Sequence, residues 1–500
     1  MQIAKRSISS SVYNLAANFI QIIVLFIRSI LLTRLLSPDI FGGYVFISSI
    51  IDLSQTLPDF GLQSAFLYKS SLDNQESALK THFSLSVAFN LVWIISIFVV
   101  TMFFVPIEDR WIYWFLAFFI FFARLTRTPR ALLAKQVEFQ RLVVIDVISD
   151  ISTSIFAIGL AWYGYGIWSL LAPRIISVIV QLIGIYGYRP VWKPRLGWDR
   201  SLVRVFINFG KQSFLSSVLL QALDRVDDIW VGIALGDTAL GFYNRAYSFA
   251  NYPRKVISDP INDVAAGTYA QVKDDPTRFS KAFFRVNAFL VRVNFLFAGI
   301  LALIAPEFIR IVIGVQWMPM LDAFRLMIVY TLLDPIKLTV ANVITAAGDP
   351  NKVVRARFVQ FVVMIIGLIV FTPWFQISGI ALAVDLMLVS GIGILLWEVR
   401  AYVKVSLFTL FGVPGAGLIV GIILARLGIT LPGVMGSDWR TAGVKIGIFS
   451  VIYIGSLIIF ERNHLDLLLT IINQALPTKL TSLSAITKKI YISGNKDKDI

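Results

Sequence analysis

The sequence predicts an all-α polytopic membrane protein. About 14 membrane-crossing helices are expected, laid out as two parallel six-helix repeats with two helices appended. Three observations predict this. Of the 500 residues, 57% are hydrophobic and 15% charged, far less charge than a soluble chain of this length needs to cover its surface. Apolar runs of ~20 residues, enough to cross a bilayer at ~1.5 Å per residue, recur from end to end. The Lys and Arg residues, in excess of the acids by 15, fall mainly on alternate gaps between those runs.

Taken in order, the first bundle comprises spans near 11–33, 41–66, 82–105, 111–128, 142–162 and 166–188. The second comprises 206–235, 241–267, 282–304, 320–346, 357–375 and 378–398, and two more spans follow at 405–427 and 441–461. The expected domains are therefore 1–188, a basic cytoplasmic connector at 189–205, 206–398, the additional pair within 399–461, and a cytoplasmic tail at 462–500. Lys5 and Arg6 precede the first run as in a signal peptide. That run is too long, however, and no small-x-small cleavage site ends it, so it reads as a retained helix. Alternate gaps, beginning with that between the second and third spans, and the two tails hold 29 basic residues, and the opposite side holds Arg34, Arg110, Arg310 and Arg440. By the positive-inside rule both termini are cytoplasmic. Trp111, Trp114, Trp162, Tyr165 and Trp168 gather near the short outer loops, as in an interfacial belt. Leu480, Leu483 and Ile486 beside Lys488 and Lys489 suggest a tail lying on the membrane surface. Pro253 and Pro260 predict a bend in the eighth span.

Two echoes point to the repeat. At a shift of 199 residues Gly42 falls on Gly241 and Tyr44 on Tyr243; at a shift of 213 Gly166 falls on Gly379 and Ile167 on Ile380. Both halves start on the same side, so the repeats are parallel, and a substrate is expected at the interface between them.

Composition excludes several chemistries. Cysteine is absent, which removes disulfides, a thiol nucleophile and thiolate metal sites. His82 and His464 alone do not make a multi-histidine metal site. The basic excess lies between apolar runs, so it reads as a topology signal and not as a nucleic-acid surface.

The candidate site centres on Gln221–Asn244, where an apolar span carries Asp224, Arg225, Asp227 and Asp228. Spacings of three and four put the three aspartates on one helix face. Ionisable groups at membrane depth are expensive and persist mainly where they pair or line a cavity. A local ion-pair cluster that only orients helices is the plain alternative. Arg28, Arg174 and Arg245 fall at similar depth, with Arg254 and Asp52 nearer the middle. The repeat sets the first span against the seventh, so Arg28 is expected to share a cavity with the Asp224–Asp228 cluster. Arginine suits phosphate because its planar fork donates two hydrogen bonds. Asp224, Asp227 and Asp228 are candidates for carrying coupling protons or sodium, and no other cofactor is expected. Arg34 is expected to snorkel to the interface and Arg292 to be structural.

The segments "LLTRLLSPDIFGGYVF", "DFGLQSAF" and "LGDTALGFYNRAYSFANYPRKVISDPINDV" resemble polysaccharide flippases of the multidrug/oligosaccharidyl-lipid/polysaccharide (MOP) exporter superfamily, of the Wzx or colanic-acid-exporter-like type. The resemblance runs over nearly the whole chain and is strongest at 30–70 and 205–280. It implies a MATE-like, V-shaped pair of six-helix bundles in the inner membrane. It also implies transfer of an undecaprenyl-diphosphate-linked oligosaccharide to the outer leaflet, driven by an ion gradient, with polysaccharide polymerase machinery as a partner. On that reading Arg28, Arg174, Arg225, Arg245 and Arg254 would meet the diphosphate, while Tyr243 and Asn244 would meet sugar. A drug or cation antiporter on the same fold would prefer an acidic cavity without facing arginines, and a lipid II flippase is chemically close. A membrane glycosyltransferase or polymerase of lipid-linked sugars would need a larger outer segment than these short loops provide.

Overall fold

The computed structural model describes residues 20–68, 75–136, 138–404, 406–429 and 437–461. The start of the first span, Lys5, Arg6 and the tail with Leu480–Lys489 lie outside the described residues. Among the described residues there is no strand. Helix α1 covers residues 20–35, and α2 covers Pro38–Ser54. Two short helices, α3 (Thr56–Asp59) and α4 (Leu62–Tyr68), follow. The expected second span is thus broken at Gln55 and again at Phe60 and Gly61, whose φ values of 35° and 67° are left-handed. Next come α5 (Gln75–Phe104), α6 (Ile107–Leu125), α7 (Arg127–Lys135), α8 (Phe139–Trp162) and α9 (Trp168–Leu182). The sequence reading did not separate α7 from its loop, because nine residues with a basic face resemble a charged gap. It folds by burying Ala131 and Leu132 in a cluster with Phe66, Leu79 and Phe206.

The second half opens with α10 (Arg200–Leu235), capped by the Asp199 carboxylate on the amides of Ser201 and Leu202. It continues with α11 (Asp237–Ala250), α12 (Asp259–Val272), α13 (Pro276–Phe308), α14 (Leu321–Ala346), α15 (Pro350–Val399), α16 (Leu407–Ile429) and α17 (Asp438–Phe460). Pro253 and Pro260 flank a π-helical turn at Arg254–Ser258 that separates α11 from α12. The Ala250 carbonyl at this break accepts the Thr331 hydroxyl of α14.

At ~1.5 Å per residue, α15 would be far longer than a bilayer is thick if it were straight. It is a hairpin. Gln376, with φ 49° and ψ −127°, breaks it, at the gap expected between the spans 357–375 and 378–398. A side chain on Gly367 would strike Ala383, one on Gly379 would strike the Phe371 carbonyl, and one on Gly391 would strike Gln360. Each pair is centred near residue 375, as two antiparallel arms require. By length and apolarity, nine of the described helical segments can cross a membrane. The remaining expected spans are helical too, but they are short, broken or charged.

The two halves meet along α2 and α11. A Cβ on Gly42 would lie 1.7 Å from the Asp237 carbonyl oxygen, and a Cβ on Gly241 would lie 2.0 Å from that of Pro38. Gly42 and Gly241, like Pro38 and Asp237, are 199 positions apart, so the contact is reciprocal. One apolar cluster surrounds this seam, with Phe41, Tyr243, Trp317, Phe324 and Leu388 buried in it. The last two helices pack on α13. Arg292 pairs with Glu461 at 2.7 Å and Lys445 with Glu307 at 2.6 Å, all four nearly excluded from solvent. Tyr453 donates to the Arg292 carbonyl at 2.9 Å. Arg292 thus holds α13 against the end of α17.

Candidate functional site: a charged cavity at the seam

Helices α2, α10 and α11 each turn a polar stripe toward the seam. Val45, Ser48 and Asp52 of α2 follow one helix face, and a shift of 199 maps them onto Asn244 and Tyr247 of α11 and Asn251 at its C-terminal end, which face the same space. Asp224, Arg225 and Asp228 of α10 complete the wall, with Arg174 of α9 and Arg254 and Lys255 beyond α11. The cavity measures about 440 Å³. A second chamber of about 300 Å³ adjoins it, lined by Arg28, Phe41, Tyr252 and Leu170. The chambers share Tyr44, Val45, Arg245, Ser248 and Lys255.

Several of the charges at this depth are joined in a network, which offsets the cost of burying them. Arg225 bridges Asp52 at 2.8 Å and Asp228 at 3.5 Å. Asp228 also accepts from Ser49 at 3.2 Å and Asn244 at 3.3 Å, linking α10 to α2 and α11. Arg245 donates to the Asn244 side chain at 2.8 Å and lies 4.5 Å over the Phe41 ring. Arg254 pairs with Asp334 at 2.7 Å and Asp259 at 3.1 Å, while Lys337 meets Asp334 at 2.5 Å. The lining residues of the larger chamber include five bases (Arg174, Arg225, Arg245, Arg254, Lys255) and three acids (Asp52, Asp224, Asp228), a formal excess of two positive charges. Of the cations, Arg225 and Arg254 are matched by carboxylates. Arg28, Arg174, Arg245 and Lys255 make no ion pair among the described residues; Arg28 lies 3.5 Å from Thr153 Oγ1.

The structure brings most of the sequence candidates together. Arg174, Arg225, Arg245, Arg254, Asn244, Asp224 and Asp228 line the larger chamber, and Arg28 lines the adjoining one. Arg28 does not oppose the aspartates directly, because Tyr44 and Arg245 stand at the boundary. Two candidates do not line either chamber. Asp227 and Tyr243 are buried against each other, the phenol donating to the carboxylate at 2.5 Å. Successive helix residues are ~100° apart, so Asp228 points to α2 while Asp227 points into the packing with α11. Asp385 is buried outside both linings, and its Oδ1 has no partner among the described residues.

Sequence reasoning did not place Tyr44, Ser48, Ser248, Asn251, Asp52 and Lys255 in the site. A signal existed for three of them. The shift of 199 pairs Ser48 with Tyr247 and Asp52 with Asn251, so polar residues recur on equivalent helix faces.

The end of the seam at the turn between α1 and α2 is latched. Arg34 donates to the carbonyl of Val312 at 2.8 Å and to that of Ile311, while Trp317 Nε1 donates to the Thr33 carbonyl at 2.7 Å. Arg34 therefore satisfies carbonyls of the π-helical turn Ile309–Ile313 that follows α13; the sequence suggested snorkelling to the interface. The rings of Phe41 and Phe242 stand edge-on to Trp317, with centres 5.8 and 5.7 Å away.

Fold and site together define a helical membrane protein with a charged cavity at the seam where α2 meets α11. Residues 31–322 match the family described as "Polysaccharide biosynthesis protein", and this chain belongs to that family. It is 21% identical to the lipopolysaccharide biosynthesis protein WzxC of Escherichia coli (strain K12), over 69% of this chain and 71% of WzxC. It is 24% identical to the succinoglycan biosynthesis transport protein ExoT of Rhizobium meliloti (strain 1021), over 58% of this chain and 59% of ExoT. Among solved structures, the lipid II flippase MurJ in an inward closed conformation superposes with a TM-score of 0.72 at 16% identity, covering 91% of this chain and 99% of MurJ.

Proposed function

We propose that this protein is a flippase. It moves a lipid-linked oligosaccharide from the cytoplasmic to the outer leaflet by alternating access, for surface polysaccharide biosynthesis. The observation that carries this reading is a set of four cations, Arg28, Arg174, Arg245 and Lys255, that make no ion pair among the described residues and stand around two joined chambers. Such a set suits the phosphates of an undecaprenyl-diphosphate link, which bidentate arginines recognise. Asn244, Ser248, Asn251 and Tyr247 offer hydrogen-bonding groups for sugar hydroxyls. The lipid tail stays in the bilayer, so only the polar head needs this route.

The named relatives in polysaccharide synthesis and transport support the same reading, as does membership of the family. The activity is transport and not bond-making, in the inner membrane with both termini cytoplasmic and polysaccharide polymerase machinery as a partner. An inward proton or sodium gradient supplies the drive. Asp224, which faces the chamber without an ion pair among the described residues, is the first candidate for the coupling carboxylate. Asp228 is already tied to Arg225 and Ser49.

A deletion strain tests the reading through its lipid-linked intermediates. Complete oligosaccharide units should accumulate on the cytoplasmic leaflet. Accumulation of incomplete units would point to an enzyme and overturn it.

A further inference from the structure

Between α9 and α10 the chain crosses residues 188–199 without regular structure, yet it is held at close intervals. Arg141 donates to the carbonyls of Gly184 at 3.1 Å, Arg189 at 2.8 Å, and Tyr188. Trp192 stands edge-on to Phe83 with ring centres 5.5 Å apart. The Gly197 amide donates to Ser84 Oγ at 3.0 Å, and the Asp199 amide to Thr81 Oγ1 at 3.2 Å. In an extended chain alternate residues face opposite ways. Pinning Gly197 and Asp199 inward turns Leu196 and Trp198 outward, where they are 74% and 63% exposed; Tyr188 is 63% exposed. Arg189, Lys193, Arg195, Arg200 and Arg204 are interleaved with them, all exposed. Among the described residues, only Arg195 of these five meets a carboxylate, Glu76 at 3.4 Å.

A topology signal accounts for the charges but not for a tryptophan, a leucine and a tyrosine held out beside them. The strap leaves α9 and enters α10 at one end of both spans, which places it at the level of the lipid headgroups. A charged bilayer surface satisfies both features, taking aromatic and aliphatic groups into its interface and cations onto its phosphates.

We propose that residues 188–204 form a binding surface for anionic lipid headgroups, with Leu196 and Trp198 entering the interface and the five cations facing the headgroup phosphates. The strap joins the two bundles, so this surface fixes their connection to the leaflet. It is distinct from the seam cavity and independent of what that cavity carries.

The chain has no cysteine, so a Leu196→Cys variant accepts a single environment-sensitive thiol probe. The full-length protein is placed in nanodiscs of phosphatidylcholine, with or without phosphatidylglycerol. Quenching of the probe by a lipid spin-labelled near its headgroup should be stronger with phosphatidylglycerol, and the difference should shrink with added salt. Changing Arg189, Lys193, Arg200 and Arg204 to Gln should weaken the preference about fivefold for each charge removed. Equal quenching in the two lipids overturns the proposal. So does a probe shielded from both lipid and aqueous quenchers, which would place the strap under protein. The comparison of the two lipids with native charges decides the matter even if the neutralised variant does not fold. No transport is measured, so the outcome leaves the flippase reading untouched.

Discussion

Arg245 and Tyr243, two residues apart on α11, show how unlike neighbouring candidates become once the helix is packed. Arg245 faces both chambers, whereas Tyr243 is wholly buried against Asp227. Arg245→Gln should therefore lower flipping at least about tenfold, the effect of losing ~1.4 kcal/mol of substrate interaction, with little change in thermal midpoint. Tyr243→Phe should do the reverse. It leaves a buried carboxylate short of a donor and costs about 1.5–3 kcal/mol of stability, while flipping per folded molecule stays near normal. Thermal unfolding in detergent and complementation of a deletion strain separate the two outcomes. The three aspartates of α10 were legible from their spacing as a polar face in an apolar span. Their division was not. The ~100° between Asp227 and Asp228 spans two different neighbouring helices, and which helices those are is a tertiary fact.

Among the elements, the crossing of α2 and α11 is the tightest constraint. Neither Gly42 nor Gly241 has room for a Cβ against the opposing carbonyl. Gly42→Ala and Gly241→Ala should each cost about 1–3 kcal/mol or more by overpacking, and by similar amounts, because the contact is reciprocal. Unfolding midpoints of the single variants measure this. The echo at a shift of 199 contained both glycines, but not that each packs on the backbone of the other helix. The latch at the turn between α1 and α2 makes a second element-scale prediction. Arg34→Gln combined with Trp317→Phe removes donors from the carbonyls of Val312 and Thr33, so this end of the seam, the outer one in the proposed orientation, should open more often. In this cysteine-free chain, Ser48→Cys labelling by a membrane-impermeant thiol reagent added outside should rise in the latch variant. Unchanged labelling would show that the latch does not gate the cavity.

For the whole molecule, the appended pair α16 and α17 is fastened to α13 by two ion pairs in surroundings with little water. Lys445→Met alone should destabilise the protein by about 3–5 kcal/mol, because Glu307 is left buried and unpaired. Lys445→Met with Glu307→Gln should recover much of that loss, as an unfolding series in one detergent would show. Lys445 and Glu307 are 138 positions apart, so nothing in their local sequence marks them as partners.

What the sequence determined by itself was the class: apolar runs matched to bilayer thickness, their helical character, the break in α15 near Gln376 and the charged face of α10. These follow from local hydropathy, from proline and glycine, and from helix periodicity, which act within a few turns of chain. The tertiary structure decided which charges are spent on one another and which are left to face a ligand. Asp52 holds Arg225 while Arg28, Arg174, Arg245 and Lys255 remain without carboxylate partners among the described residues. Burying a charge has a cost that depends on every group brought within a few ångströms of it. Those groups come from helices far apart in the chain, Arg245 and Ser29 being 216 positions apart, so only the packed seam could assign them.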